Sequence, residues 1–273
     1  MLGASRTSIE ALRERLAAVF DDPTQRDFLA AGGTGVLTVV SSAEQERSLG
    51  HLWADPAVAD SVKDGVLVQV FGERVPTLSQ DMVKQVTHAR WSDEGDMMDA
   101  LEEAGASLIL MNAENEGRLD RVEEELFRFG RAVDANAGLQ VARASPATPA
   151  SDKAGIVAAL LDGKADPATE ELLVYLAGHL RGRRVQNAVT ELSALAATRR
   201  HRVVAEVHSA VALTDEQKER LAGALSRIQG REVQINVTID PAVIGGLEVR
   251  IGDEVIDGTL SARLQQARRR LAG

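Results

Sequence analysis

The chain has 273 residues, 31 Lys and Arg against 41 Asp and Glu, and no cysteine. Disulfides and thiolate metal sites are therefore excluded, and a net charge of −10 opposes binding to phosphate backbones. A reducing compartment is the simplest setting, and with aromatics at 3% the core must come from Leu, Val, Ile and Ala.

From the start, MLGASRTSIEALRERL puts Glu10 and Arg13 where a signal peptide needs its apolar core. Ile9, Leu12, Leu16 and Val19 recur three, seven and ten residues on, the apolar stripe of a helix. The longest charge-free run, Phe28 to Ala43, holds three glycines and is shorter than the ~18–20 apolar residues a membrane span needs. The expectation is a soluble chain that meets a membrane only through a partner. GGTG at 32–35 matches neither a phosphate loop nor a dinucleotide fingerprint and reads as a turn or bulge.

An internal repeat organises the next stretch. Residues 55–66, DPAVADSVKDGV, and 145–156, SPATPASDKAGI, align at an offset of 90 through Pro56/Pro146, Ser61/Ser151, Lys63/Lys153 and Gly65/Gly155. One inserted residue later the offset becomes 91 and pairs Gly72/Gly163, Pro76/Pro167, Val83/Val174, His88/His179 and Arg90/Arg181. Upstream, Leu119, Val122, Leu126 and Phe129 repeat the spacing of the first stripe. Such Gly and Pro punctuation predicts a duplicated helical bundle, copy one over 1–92 and copy two over 93–200. Prolines open its helices, SDEG at 92–95 joins the copies, and ARASPATPAS at 142–151 is a loop inside copy two. Apolar positions at 185, 188, 189, 192, 195 and 196 predict a last helix from Val185 to about Thr198.

Beyond RRHR at 199–202 the apolar period falls from 3.6 to 2, which starts a third domain over 201–273. Val203, Ala205 and Val207 mark one strand face. Thr214 to Gln217 reads as a capping box before a helix that buries Leu221, Leu225 and Ile228 and is closed by Gly230. Val233, Ile235, Val237 and Ile239 are expected inward on the next strand. Asp240-Pro241 ends it, Gly245-Gly246 allows a sharp re-entry, and Leu247, Val249 and Ile251 point inward. Gly252-Asp253 is a two-residue hairpin turn, and Asp257-Gly258 leads into a final helix striped by Leu260, Leu264 and Leu271. The fold class expected is mainly α, a duplicated N-terminal helical bundle followed by a small mixed sheet packed on helices.

Chemistry-bearing motifs are scarce. None of the five histidines sits in H-E-x-x-H, and no G-x-S-x-G occurs, so no catalytic, cofactor or metal residue is assigned. His88 and His179, equivalent in the repeat, read as helix-end or packing residues. Glu123 to Glu125 read as a solvated face. Arg181, Arg183, Arg184 and the RRHR run, the one basic concentration, read as a solvated helix end flanking a domain joint, with neutralisation by the chain's own acids as a second reading and an acidic partner or nucleic acid as the functional alternative.

From about Leu119 to Gly273 the chain resembles the delta subunit of F-type ATP synthases, relatives of the oligomycin sensitivity-conferring protein. The residues that carry this are Asp240-Pro241, Ile244-Gly245-Gly246, Gly252-Asp253 and Val255-Ile256-Asp257-Gly258, with VHSAVALTDEQ at 207–217. The extra bundle makes the chain similar to the lengthened actinobacterial form. The resemblance implies a non-catalytic stator subunit without cofactors, peripheral on the cytoplasmic face of the bacterial membrane. It implies two partners, the alpha subunit of the catalytic head for the bundle and the membrane-anchored b-type stalk subunit for the C-terminal unit. Candidate head-facing residues are Ile9, Leu12, Met82 and Val86, or Leu108, Met111, Leu173 and Ala177; Leu260, Leu264 and Leu271 are candidates for the stalk. The alternative expectation is an independent helical adaptor with no role in ATP synthesis.

Overall fold

The computed structural model describes residues 3–135, 149–200, 203–229, 233–240, 243, 245–251 and 254–257. Helix α1 (Ala4–Asp21) forms where Ile9, Leu12, Leu16 and Val19 recur at helical spacing, and all four are buried. It stops at Asp22, whose carboxylate accepts from the Thr24 amide at 2.9 Å. Pro23, lacking an amide hydrogen, then opens a 3-10 turn over Pro23–Phe28.

Helix α2 (Leu29–Gln45) carries GGTG in its interior, which corrects the turn or bulge expected there. The reason lies in its neighbour α6 (Glu94–Asn115). A Cβ on Gly33 would lie 2.6 Å from Ile109 Cγ1 and 2.7 Å from the Gly105 carbonyl oxygen, and one on Gly105 would lie 2.7 Å from Leu37 Cδ2. Here glycine lets two helix backbones approach; it does not break either helix. Between them in sequence come α3 (Arg47–Ala54), α4 (Asp60–Val70) and α5 (Thr77–His88). Asp93 caps α6 by accepting from the Asp96 amide at 2.9 Å, so the SDEG stretch opens a helix.

Then follow α7 (Leu119–Ala135), α8 (Ala150–Leu161), α9 (Pro167–Gly178) and α10 (Val185–Arg200). Pro167 is the first residue of α9, while Pro76 and Pro149 immediately precede α5 and α8. Gly72 and Gly163, equivalent in the repeat, both adopt positive φ after their helices, +34° and +65°. Residues 142–148 of the expected loop lie outside the described residues.

Two apolar clusters fill this helical part. The first gathers α1 to α6 around Leu12, Leu29, Trp53, Leu67, Met82 and Leu101. The second gathers α7 to α10 around Leu126, Val157, Leu172, Leu176 and Val189. Helix α6 serves both: Met97, Leu101, Leu108 and Met111 join the first, while Ala106, Ile109, Leu110 and Ala113 join the second. Contacts divide the chain once, into a unit over Met1–Ala197 and a unit over Thr198–Gly273.

In the second unit, β1 (Val203–Ser209), α11 (Asp215–Gln229), β2 (Val233–Ile239), β3 (Leu247–Ile251) and β4 (Glu254–Asp257) build a mixed sheet in the order β2-β1-β3-β4. Strands β1 and β2 run parallel, Val203 opposite Val233, joined through α11 as parallel strands require. β1 pairs antiparallel with β3, Ala205 opposite Ile251, and β3 pairs with β4, Ile251 opposite Glu254. Gly245 and Gly246 take φ +63° and +86°, the left-handed backbone the re-entry needs. The capping box is present: the Thr214 amide donates to Gln217 Oε1 at 2.9 Å, and the Gln217 amide to Thr214 Oγ1 at 3.3 Å.

Ala205, Val207, Leu225, Val233, Val249 and Ile251 form this unit's core. Two expected core residues are not in it. Ile228, in the last turn of α11, is 71% exposed, and Ile239, the last residue of the edge strand β2, is 57% exposed. Each sits at the end of its element, where the facing layer has run out. Pro241, Gly252, Asp253, Gly258, Gly230 and the final helix with Leu260, Leu264 and Leu271 lie outside the described residues.

Candidate functional site

The amphipathic stripes that build α1, α5, α6 and α9 are the natural place to seek partner contacts, because docked helices use the same i, i+3/i+4, i+7 spacing. Ile9, Leu12, Met82, Val86, Leu108 and Met111 all lie in the first core, and Leu173 and Ala177 in the second. None of these eight is more than 8% exposed. As packed, each is enclosed by its own chain.

Surface grooves lie elsewhere. In the helical unit, Arg15 of α1 and Asp81, Lys84, Gln85 and His88 of α5 line a polar groove of about 510 Å³. His88 also pairs with Asp64 of α4 at 2.8 Å. In the C-terminal unit a larger groove, about 800 Å³, has an apolar floor of Val211, Leu213, Leu221, Ala224 and Leu247, with Arg220 and Arg227 among its lining residues. Exposed Ile228 follows Ala224 by four residues, one turn along α11.

A third feature escaped the sequence: a charge network that ties α2, α6 and the α9–α10 turn together. Arg183 bridges Glu102 of α6 at 2.6 Å and Glu191 of α10 at 2.9 Å. Arg181 reaches Glu102 at 2.9 Å, Glu44 of α2 at 3.7 Å, and Asp99. His179 meets Glu44 through Nδ1 at 2.8 Å and Ser41 through Nε2 at 3.1 Å. Burial pushes the Glu102 and Asp99 carboxyls up, against the pull of Arg181 and Arg183. Burial also raises the Tyr175 phenol, with Glu102 and Glu44 adding to it, so that ring stays neutral.

Arg181 and Arg183, with side chains 18% and 22% exposed, are thus neutralised internally, which corrects the solvated helix end expected there; His88 and His179 both stand at helix ends. The only signal in the sequence was that His179 and Arg181 recur from His88 and Arg90; their acidic partners stand about 80 to 140 residues away.

The Ser41–His179–Glu44 row has the atom order of a hydrolase relay, yet it lacks what acyl transfer needs. Ser41 lies inside α2 with its hydroxyl on the Leu37 carbonyl at 2.9 Å. Amides in a helix interior are committed to the helix, which leaves no donors there for an oxyanion. Among the described residues no group of three or more His, Asp or Glu could hold a metal ion. Nor is any helix among them long and apolar enough to cross a membrane.

Residues 106–271 match the family described as ATP synthase delta (OSCP) subunit. A protein of Streptomyces griseus, "ATP synthase subunit delta", is 41% identical over 273 residues and covers all of both chains. One of Nocardia farcinica with the same description is 42% identical, again over the full length of both, and one of Acidothermus cellulolyticus is 40% identical.

Proposed function

Because this chain belongs to the ATP synthase delta (OSCP) subunit family, we propose that it holds the catalytic head through the alpha subunit and the membrane-anchored b-type stalk subunit through its C-terminal unit. It is a non-catalytic stator subunit, a peripheral part of the proton-translocating ATP synthase. We place it on the cytoplasmic face.

Full-length similarity to delta subunits carries the reading, and two physical features support it. The helical unit is braced by two continuous apolar cores that share α6, a form that resists shear because close-packed interiors transmit strain. The C-terminal unit instead offers an open apolar groove, suited to an amphipathic partner helix. We assign the stalk to that groove and to the 258–273 stripe with Leu260, Leu264 and Leu271. We assign the head to the helical unit, organised as two bundle copies over 1–92 and 93–200. The head-facing candidates remain Ile9, Leu12, Met82, Val86, Leu108, Met111, Leu173 and Ala177, whose burial means that a partner helix would meet the ridges beside them unless the bundle opens.

Reconstitution tests this. The purified full chain should form a stable complex with alpha-containing head and with the soluble part of the stalk subunit. Binding to neither, with ATP synthesis intact in cells depleted of the chain, would sustain the adaptor reading instead.

A further inference from the structure

Helix α11 turns Arg220, Gly223, Ala224 and Arg227 toward the C-terminal groove, the i, i+3, i+4 and i+7 positions of one helix face. The two arginines stand two turns apart, ~10.5 Å along the axis. They are the only charged residues among the described ones that line the groove. Among the described residues no carboxylate pairs with either guanidinium; Arg227 Nε donates to the Gly223 carbonyl of its own helix at 3.2 Å. In the helical unit, by contrast, Arg13, Arg118 and Arg183 each meet an acid. Between the two arginines, inside the helix, stands Gly223, where alanine would be the more stable choice. At Gly33 and Gly105 a neighbouring helix explains the glycine, because a Cβ would strike it. An added Cβ on Gly223 would meet nothing within 4 Å, so packing within this chain supplies no reason for it. Gly65 and Gly155 are equally open; openness counts at Gly223 because it lies in the groove wall, between two unpaired cations.

We propose, building on the assignment of the stalk to this groove, that its occupant is an acidic amphipathic helix. A bulky apolar residue of that helix seats in the notch over Gly223, and carboxylates one turn to either side of it pair with Arg220 and Arg227. Such a partner carries two acids seven residues apart, which matches the spacing of the arginines. Val211, Leu213, Leu221 and Leu247 supply the apolar contact, while charge chooses among helices of the same apolar pattern. The chain's own 258–273 stretch has a leucine stripe but four arginines and no acid, so both guanidinium groups repel it and a partner fits better than the tail.

The test titrates the full chain with two synthetic helical peptides of about twenty residues, long enough to hold a helix alone. Both carry the same leucine stripe; one has Glu at every flanking position and the other Lys. Physiological ionic strength screens the chain's net charge beyond about 8 Å and leaves close pairs in play. Wild type should bind the acidic peptide at least tenfold tighter than the basic one, and the double variant Arg220→Glu, Arg227→Glu should reverse that preference. Gly223→Ala should raise the urea midpoint of the C-terminal unit and yet weaken the acidic peptide about tenfold by filling the notch. Equal affinity for the two peptides, no binding of the acidic one, or a preference that survives charge reversal overturns the acidic seat; unchanged affinity in Gly223→Ala overturns the notch. The soluble part of the stalk subunit then decides the source. If it binds wild type and the charge-reversed chain alike, the acidic seat fails while the stalk assignment stands. If it does not bind although the acidic peptide does, the stalk assignment fails and the seat stands.

Discussion

Arg183 Nη2 lies 2.6 Å from Oε1 and 2.9 Å from Oε2 of Glu102, although 81 residues separate the two in the chain. Glu102 is 7% exposed, and burial lifts its carboxyl above the usual range despite Arg181 and Arg183. A carboxyl raised in the folded chain prefers its proton there, so ionisation opposes folding. The opposition fades as pH falls through the raised value and is gone below the ordinary glutamate pKa of about 4.3. Glu102→Gln keeps the shape and an acceptor, and should change unfolding free energy at pH 7 by less than about 1 kcal/mol. It should also flatten the pH dependence between about 7 and 5. Arg183→Met leaves a buried carboxylate with one partner fewer and should cost roughly 3 kcal/mol. Urea unfolding of the three chains at both pH values checks this; equal losses for the two variants would contradict it.

Glycines that look alike in sequence should respond in opposite ways. Gly105→Ala forces a methyl group to 2.7 Å from Leu37 Cδ2 and 3.2 Å from the Gly33 carbonyl oxygen, so α2 and α6 must separate. Its expected cost is about 1–3 kcal/mol, typical of overpacking. Gly65, inside α4, has nothing within 4 Å of an added Cβ, and Gly65→Ala should stabilise by ~0.5–1 kcal/mol through helix propensity and a less flexible unfolded chain. Shifts of the urea midpoint in opposite directions are the readout.

The same pair shows what a sequence can and cannot disclose. Local periodicity made the α1 stripe, the α10 positions, the four strands and the Thr214–Gln217 box legible, because each is decided within a few residues. GGTG was misread because the reasons for its glycines lie on other helices: Gly33 meets Gly105, seventy-two residues further on, while Gly32 and Gly35 meet Leu78 and Ser79 of α5. Ile228 and Ile239 continued a correct apolar phase past the point where the opposite layer ends, which no local pattern records. The charge network was illegible for a related reason: its acids sit on α2, α6 and α10 with no motif of their own. Stripe residues proposed for partners are enclosed because the stripes of α1, α5, α6 and α9 are themselves the faces that build the two apolar cores.

The exposed apolar residues of the C-terminal unit supply a test of the stalk assignment. Val211, 66% exposed, lines the groove with Leu213, Leu221 and Ala224, and Ile228, 71% exposed, follows Ala224 by one turn of α11. Ile228→Asp should leave the free chain within about 0.5 kcal/mol of wild type, as exposed positions generally do. Affinity for the soluble part of the stalk subunit should fall at least tenfold, with binding to the head unchanged. Titration calorimetry against each partner separates the two; unchanged stalk affinity would remove α11 from that interface.

Finally, the division after Ala197 predicts two units that unfold separately. Thr214 caps α11 through both arms of its box, at 2.9 and 3.3 Å, and α11 packs on β2 with Leu225 in the unit's core. Thr214→Ala removes the hydroxyl arm, leaves the Gln217 amide without its acceptor, and should cost about 1 kcal/mol. That loss should fall wholly on Thr198–Gly273. Amide exchange in α11 and the sheet would quicken about fivefold, since ~1.4 kcal/mol corresponds to tenfold when local opening governs exchange. Exchange in α2 and α6 would stay as in wild type, and mild proteolysis would release a C-terminal fragment sooner than from the parent chain. Parallel acceleration in both units would instead mean that the chain unfolds as one cooperative body.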